Sequence, residues 1–169
     1  MHTVIHALAH FLGPWQSTYS NSKAVSSTVT YFHLVGLLFG GGFAVAADRA
    51  TLRAVRATPD RRLHALDELG AVHRPVLVGL GVLFASGILQ LTADVETFAS
   101  SPVYWMKMAL VGLLLVNGYV LKRTETTLRA RSGGEPRDPL WARLRMTSIV
   151  SVVLWASIVL AGTVLNSIS

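Results

Sequence analysis

A chain of 169 residues that is 51% hydrophobic and only 14% charged, with a mean hydropathy of +0.48, is too apolar for disorder and too poor in charge for an ordinary soluble domain. Its length suits one domain. The net charge of +6 would suit nucleic acid on a soluble protein, but the positions of the cations give them another role and no nucleic-acid partner is expected. With no cysteine, the chain excludes disulfides, thiolate metal sites and a thiol nucleophile.

Residues 1–15 lack a cationic leading segment and a small-residue cleavage site, and His2, His6 and His10 interrupt their apolar character, so they read as part of the mature protein. The histidines recur at i, i+4 and i+8 beside Val4, Ile5, Leu8, Phe11 and Leu12. This pattern predicts a short amphipathic helix lying on the membrane surface and ended by Gly13-Pro14. The polar stretch from Gln16 to Ser27 then leads into the first apolar run.

Four runs of about twenty residues are nearly free of charge: 29–47, 75–93, 103–121 and 147–168. At about 1.5 Å per residue each reaches roughly 30 Å, a bilayer core, and none shows the alternation or brevity of a strand. The fold class is therefore all-α, a four-span membrane bundle with a short interfacial helix at its N-terminus. Thirteen of the fifteen cations lie in the loops 48–74 and 122–146, while the connection between the second and third runs carries Asp94, Glu96 and no cation. The positive-inside rule then puts both basic loops in the cytoplasm and both termini outside, as expected of a multi-pass protein of the plasma membrane. Within the first loop, the helix of the first span is expected to run on, to turn at Thr58-Pro59-Asp60, and to be followed by a helix with Asp60 as N-cap. The run Arg131-Ser132-Gly133-Gly134-Glu135-Pro136 reads as a flexible turn.

Gly36 and Gly40 stand four apart and are followed by Gly41, Gly42 and Ala44, while the second span carries Gly79, Gly81, Ala85 and Gly87. Such spacing lets membrane helices approach closely, or leaves a slot for a flat macrocycle. The polar residues within the spans matter most, because ionisable groups in lipid are costly and face a bundle interior or a cavity. His33 and Lys107 each sit five residues into spans that run in the same direction, about 6 Å below the outer boundary. His33 suits an axial haem ligand or an interhelical hydrogen bond. Lys107 suits a propionate partner, a second ligand or a proton carrier, or it snorkels to the headgroups. Met106, Met108 and Gln90 lie at similar depth, so a His/Met axial pair remains open. On the inner side, His64, His73 and Arg74 precede Pro75 and read as interfacial anchors or as quinone or propionate contacts. Tyr104, Trp105, Trp141 and Trp155 read as interfacial and packing aromatics.

The stretch Tyr31-Phe32-His33-Leu34-Val35-Gly36 through Asp48-Arg49, then His73-Arg74-Pro75 through Ser86-Gly87, and Pro102-Val103-Tyr104-Trp105-Met106-Lys107 with Asn117 resembles a group of small four-helix membrane proteins. That group includes the HemJ-type protoporphyrinogen IX oxidases, the CopD-type copper-resistance domains and their uncharacterised relatives. The resemblance covers residues 17 to about 122. It implies a haem b-binding membrane protein of redox type, an oxidoreductase in the HemJ branch, with His33 and Lys107 matching the histidine and lysine on which HemJ-type proteins depend. Porphyrin or quinone would then be partners. Two other readings stand beside it. The outer set His2, His6, His10, Met106 and Met108 offers imidazole and thioether to copper. The Gly-rich helices would equally suit a non-catalytic subunit packed in a larger membrane complex or a homo-oligomer.

Overall fold

The computed structural model describes residues 2–55, 57–131 and 139–168, with backbone alone for 2–10, 59, 60, 63, 166 and 168. Six helices follow in order: α1 (His2–Asn21), α2 (Lys23–Ala54), α3 (Pro59–Ala93), α4 (Val95–Ser100), α5 (Pro102–Ala130) and α6 (Pro139–Ile168). No strand occurs among the described residues, and α2, α3, α5 and α6 are each long and apolar enough to cross a bilayer. At 32 and 35 residues, α2 and α3 reach about 48 and 52 Å, well past a bilayer core of about 30 Å. The excess length projects as helix at the arginine-rich end of the bundle, here the inner end, with the opposite end the outer.

Helix boundaries follow from local chemistry. The Ser22 Oγ accepts from Val25 N, Asp94 Oδ1 from Thr97 N, and Ser101 Oγ from Tyr104 N, so three of the starts are capped by side chains. Pro102 follows its cap directly and Pro59 follows Thr58, where a missing N–H and a fixed φ cost the helix nothing. Thr58 and not Asp60 therefore occupies the cap of α3. The expected inner helix is present and does not stop at the membrane: α3 runs unbroken from Pro59 through Pro75 to Ala93. Burial explains the continuity, since Leu66 and Leu69 on the inner part of α3 are held in a core with Leu121 and Leu128 of α5 and Trp141 and Leu144 of α6. That packing outweighs the one backbone bond that Pro75 removes.

The N-terminal helix likewise continues through Gly13-Pro14 to Asn21, covering much of the stretch expected to be a polar lead-in. It docks on the outer end of α3, where Trp15 Nε1 donates to the Leu89 carbonyl at 3.2 Å and Gln16 Nε2 to the Thr92 carbonyl at 3.4 Å. The turn expected at 131–136 falls, beyond Arg131, outside the described residues.

In the bundle α2 lies against both α3 and α6, and α6 lies against α5. The α2–α3 crossing is the closest. A Cβ on Gly36 would stand 2.9 Å from Leu83 N, one on Gly40 would stand 3.3 Å from the Gly79 carbonyl carbon, and one on Gly79 would collide with the Gly40 backbone. On the other side of α2, Gly41 receives the ring of Trp155 from α6. A second core, Leu114, Leu154, Trp155 and Ile158 with Leu37, Leu80, Leu83, Leu110 and Val111 around it, fills the middle of the bundle. Outward the surface is apolar: Leu38 is 71% exposed, Phe84 72% and Leu160 66%. Surfaces of this kind on all four long helices belong in a lipid bilayer.

Candidate functional site

One turn outward from the middle core, the four long helices contribute a polar layer. His33 of α2 meets Ser86 of α3 with Nδ1 and Oγ 2.9 Å apart. Ser86 is buried, and its hydroxyl donates to the Val82 carbonyl at 2.7 Å, leaving the oxygen as an acceptor. With that hydroxyl proton on Val82, the Ser86 oxygen is placed to accept from an Nδ1–H of His33, and in that tautomer of the neutral ring Nε2 carries the lone pair. A serine one turn up from its own carbonyl partner thus fixes the orientation of the ring. Gly87, beside Ser86, keeps the ring edge clear: a Cβ there would touch His33 Cε1 at 3.7 Å.

Lys107 of α5 is half-buried on the inward side, its Nζ 3.7 Å from where a Cβ on Gly162 of α6 would stand. Val29 lies one turn further out on α2 and Leu165 nearly one turn further out on α6, and both are buried, at 7% exposure each. Leu37, Leu83, Leu110, Val111 and Ile158 lie on the inner side. The histidine and lysine expected to carry chemistry are thus brought into one layer between apolar residues, where a charge is poorly solvated and a ligand bond or proton transfer is shielded from water.

Other expected site residues are placed elsewhere. Gly36 and Gly40 face the backbone of α3, so the space that a flat macrocycle would need at those two positions is taken by the helix crossing. The small residues at the polar layer are Ser86, Gly87 and Gly162 instead. Met106 and Met108 are 53% and 36% exposed on α5. Gln90 is half-buried one turn beyond Ser86. The side chains of His2, His6 and His10 lie outside the described ones, and among the described residues no group of three His, Cys, Asp or Glu side chains gathers as a metal site.

On the inner side His73 is more than an interfacial anchor. Its Nε2 lies 2.5 Å from Glu125 Oε2 of α5, while Arg129 Nε donates to Glu125 Oε1 at 2.8 Å and its guanidinium reaches Asp67 at 3.1 Å and the Leu66 carbonyl. Arg74 is exposed, and His64 pairs at 3.5 Å with Glu68 on the outside of α3. Arg62 stacks over the buried Trp141 at 5.3 Å.

Two buried carboxylates escape sequence reasoning. Glu125, with a side chain 4% exposed, ties α5 to α3. Asp48, 2% exposed near the inner end of α2, lies beside Ser148 and Ser151 of α6. The available signal was spacing: Asp48 lies on the Gly41-Ala44 face of α2, which α6 covers, and Glu125 sits four residues before Arg129 on α5.

Comparison with known proteins gives no match to this chain among family models, curated proteins or solved structures.

Proposed function

We propose that this protein binds haem b in the membrane and works in electron transfer, with His33 as the residue that would hold the haem iron. The observation that carries the reading is the Ser86–His33 pair, which engages Nδ1 and turns the other ring nitrogen, Nε2, toward a metal role inside an apolar bundle. A histidine that ligates a metal commonly gives its other N–H to a fixed acceptor, as His33 does to Ser86. The donor set fits such a group: one oriented imidazole, one lysine in the same layer, and small residues at Gly87 and Gly162 beside them. When bound, haem supplies one-electron redox chemistry at its iron.

In this reading the chain's own residues do three things. Ser86 holds the His33 ring, so that Nε2 is presented without a rotameric search. Lys107 offers its ammonium to an anionic propionate, or its neutral amine as a second donor or proton carrier. The apolar residues on either side exclude water from both. The resemblance to HemJ-type proteins supports an oxidoreductase role, and the clustering of arginines at the inner helix ends supports cytoplasmic basic loops with both termini outside the plasma membrane.

The test is a His33→Ala protein purified alongside the unaltered chain from cells supplied with haem precursor. Loss of bound haem with unchanged helicity is expected. Full haem content with an identical Soret band would remove His33 from the role.

A further inference from the structure

At the inner ends of α2 and α6 lies a cleft of about 480 Å³ lined by Leu52, Arg53, Arg145 and Ile149. Each helix contributes one arginine and one apolar residue. Arg145 and Ile149 stand one turn apart on α6, and Arg53 belongs to the last turn of α2. Both arginines are exposed, and among the described residues neither forms an ion pair. Asp48, the carboxylate nearest in sequence to Arg53, is buried toward Ser148 and Ser151. The two guanidinium groups therefore present uncompensated charge beside a cleft whose remaining lining is apolar.

We propose that this cleft binds one anionic phospholipid, with its phosphate held by Arg53 and Arg145 and an acyl chain laid along Ile149 and the exposed apolar flank of α6. The level is right for a headgroup, because the cleft lies where the long apolar runs give way to arginine-bearing helix ends. Guanidinium forks match phosphate oxygens in bidentate fashion, so two arginines from different helices select one phosphate better than scattered charge does. A free phosphate would satisfy the arginines but leave the apolar lining unused. Beyond the cleft, Val150 and Val153 continue the apolar flank at 37% and 58% exposure, which suits an acyl chain. Such a lipid would brace α2 against α6 at the end of the bundle opposite the His33 layer.

The experiment is native mass spectrometry of the full chain released from detergent micelles titrated with phosphatidylglycerol, with phosphatidylcholine and inorganic phosphate as competitors. One phosphatidylglycerol per chain is expected, resisting both competitors. Arg53→Gln and Arg145→Gln should each weaken binding about 5-fold and the double variant about 30-fold, the size expected of one juxtamembrane cation each. Arg143→Gln, which removes the same charge from another face of α6, should leave binding unchanged. Unaltered binding in the double variant, an equal loss in Arg143→Gln, or equal retention of phosphatidylcholine would each overturn the proposal. Displacement of the lipid by inorganic phosphate would also overturn it, in favour of a plain phosphate site. Both arginines are solvent-facing, so folding should persist, and the competition arm needs no variant at all.

Discussion

Replacing Gly36 with alanine sets a Cβ 2.9 Å from Leu83 N, 3.0 Å from the Gly79 carbonyl oxygen and 3.1 Å from Leu83 Cγ. Comfortable contact begins near about 3.5 Å, so each approach is short by roughly half an ångström. Two of the three atoms are backbone, and no rotamer change relieves them; α2 and α3 must separate along the crossing. Overpacking of this kind costs about 1–3 kcal/mol. For a chain of this size that corresponds to a fall in Tm on the order of 2–12 °C. Gly42 and Gly81 provide the internal contrast, because a Cβ at either meets nothing within 4 Å. Their alanine variants should be neutral or gain up to about 1 kcal/mol from helix propensity. Thermal unfolding followed by circular dichroism in one detergent compares the three directly. If Gly36→Ala unfolds at the same temperature as Gly42→Ala, the close α2–α3 crossing is wrong and the glycine at 36 serves some other purpose.

Glu125→Gln keeps the shape of the side chain but removes the charge shared by His73 and Arg129. Both partners are partly exposed, so the loss should fall below that of a fully buried pair, at about 1–3 kcal/mol by the same unfolding assay, and an unchanged midpoint would show that the α3–α5 tie contributes nothing. Ser86→Ala removes the acceptor that holds His33 Nδ1 and should weaken haem retention about 10- to 100-fold, while a Ser86→Thr variant that keeps the hydroxyl restores part of it. Equal retention in the alanine variant would mean that the serine does not orient the ring. For topology, the chain's lack of cysteine allows single exposed replacements: a membrane-impermeant thiol reagent applied to intact cells should label Ser100→Cys and spare Arg61→Cys, and the reverse pattern would invert the orientation.

The four long helices were legible because lipid demands uninterrupted apolar runs, a requirement that writes itself into composition. Their inner extensions were only partly legible. Whether α3 breaks at Pro75 depends on whether Leu66 and Leu69 are buried by α5 and α6, which is a tertiary fact. The short α4 rests on a cap from Asp94 within a six-residue stretch too brief to show periodicity. His33 and Lys107 stood out as ionisable groups in apolar runs, whereas their partners Ser86 and Gly162 are small residues that look like packing until the helices are assembled. The spacing of the glycines at 36 and 40 allowed close packing or a ligand slot, and the packing holds, with a helix from about forty residues further along the chain filling the crossing. Asp48 and Glu125 sit near arginines in sequence, where a solvated face is the ordinary expectation, and only the neighbouring helices make them buried.

The account turns on whether the oriented imidazole of His33 carries a haem. The deciding measurement is the absorbance spectrum of the detergent-purified chain, oxidised and then dithionite-reduced, with haem assayed per chain on the same sample. The account predicts a Soret band, a sharpened alpha band on reduction and about one haem per chain bound through one histidine. A colourless protein from cells with haem in supply would contradict it.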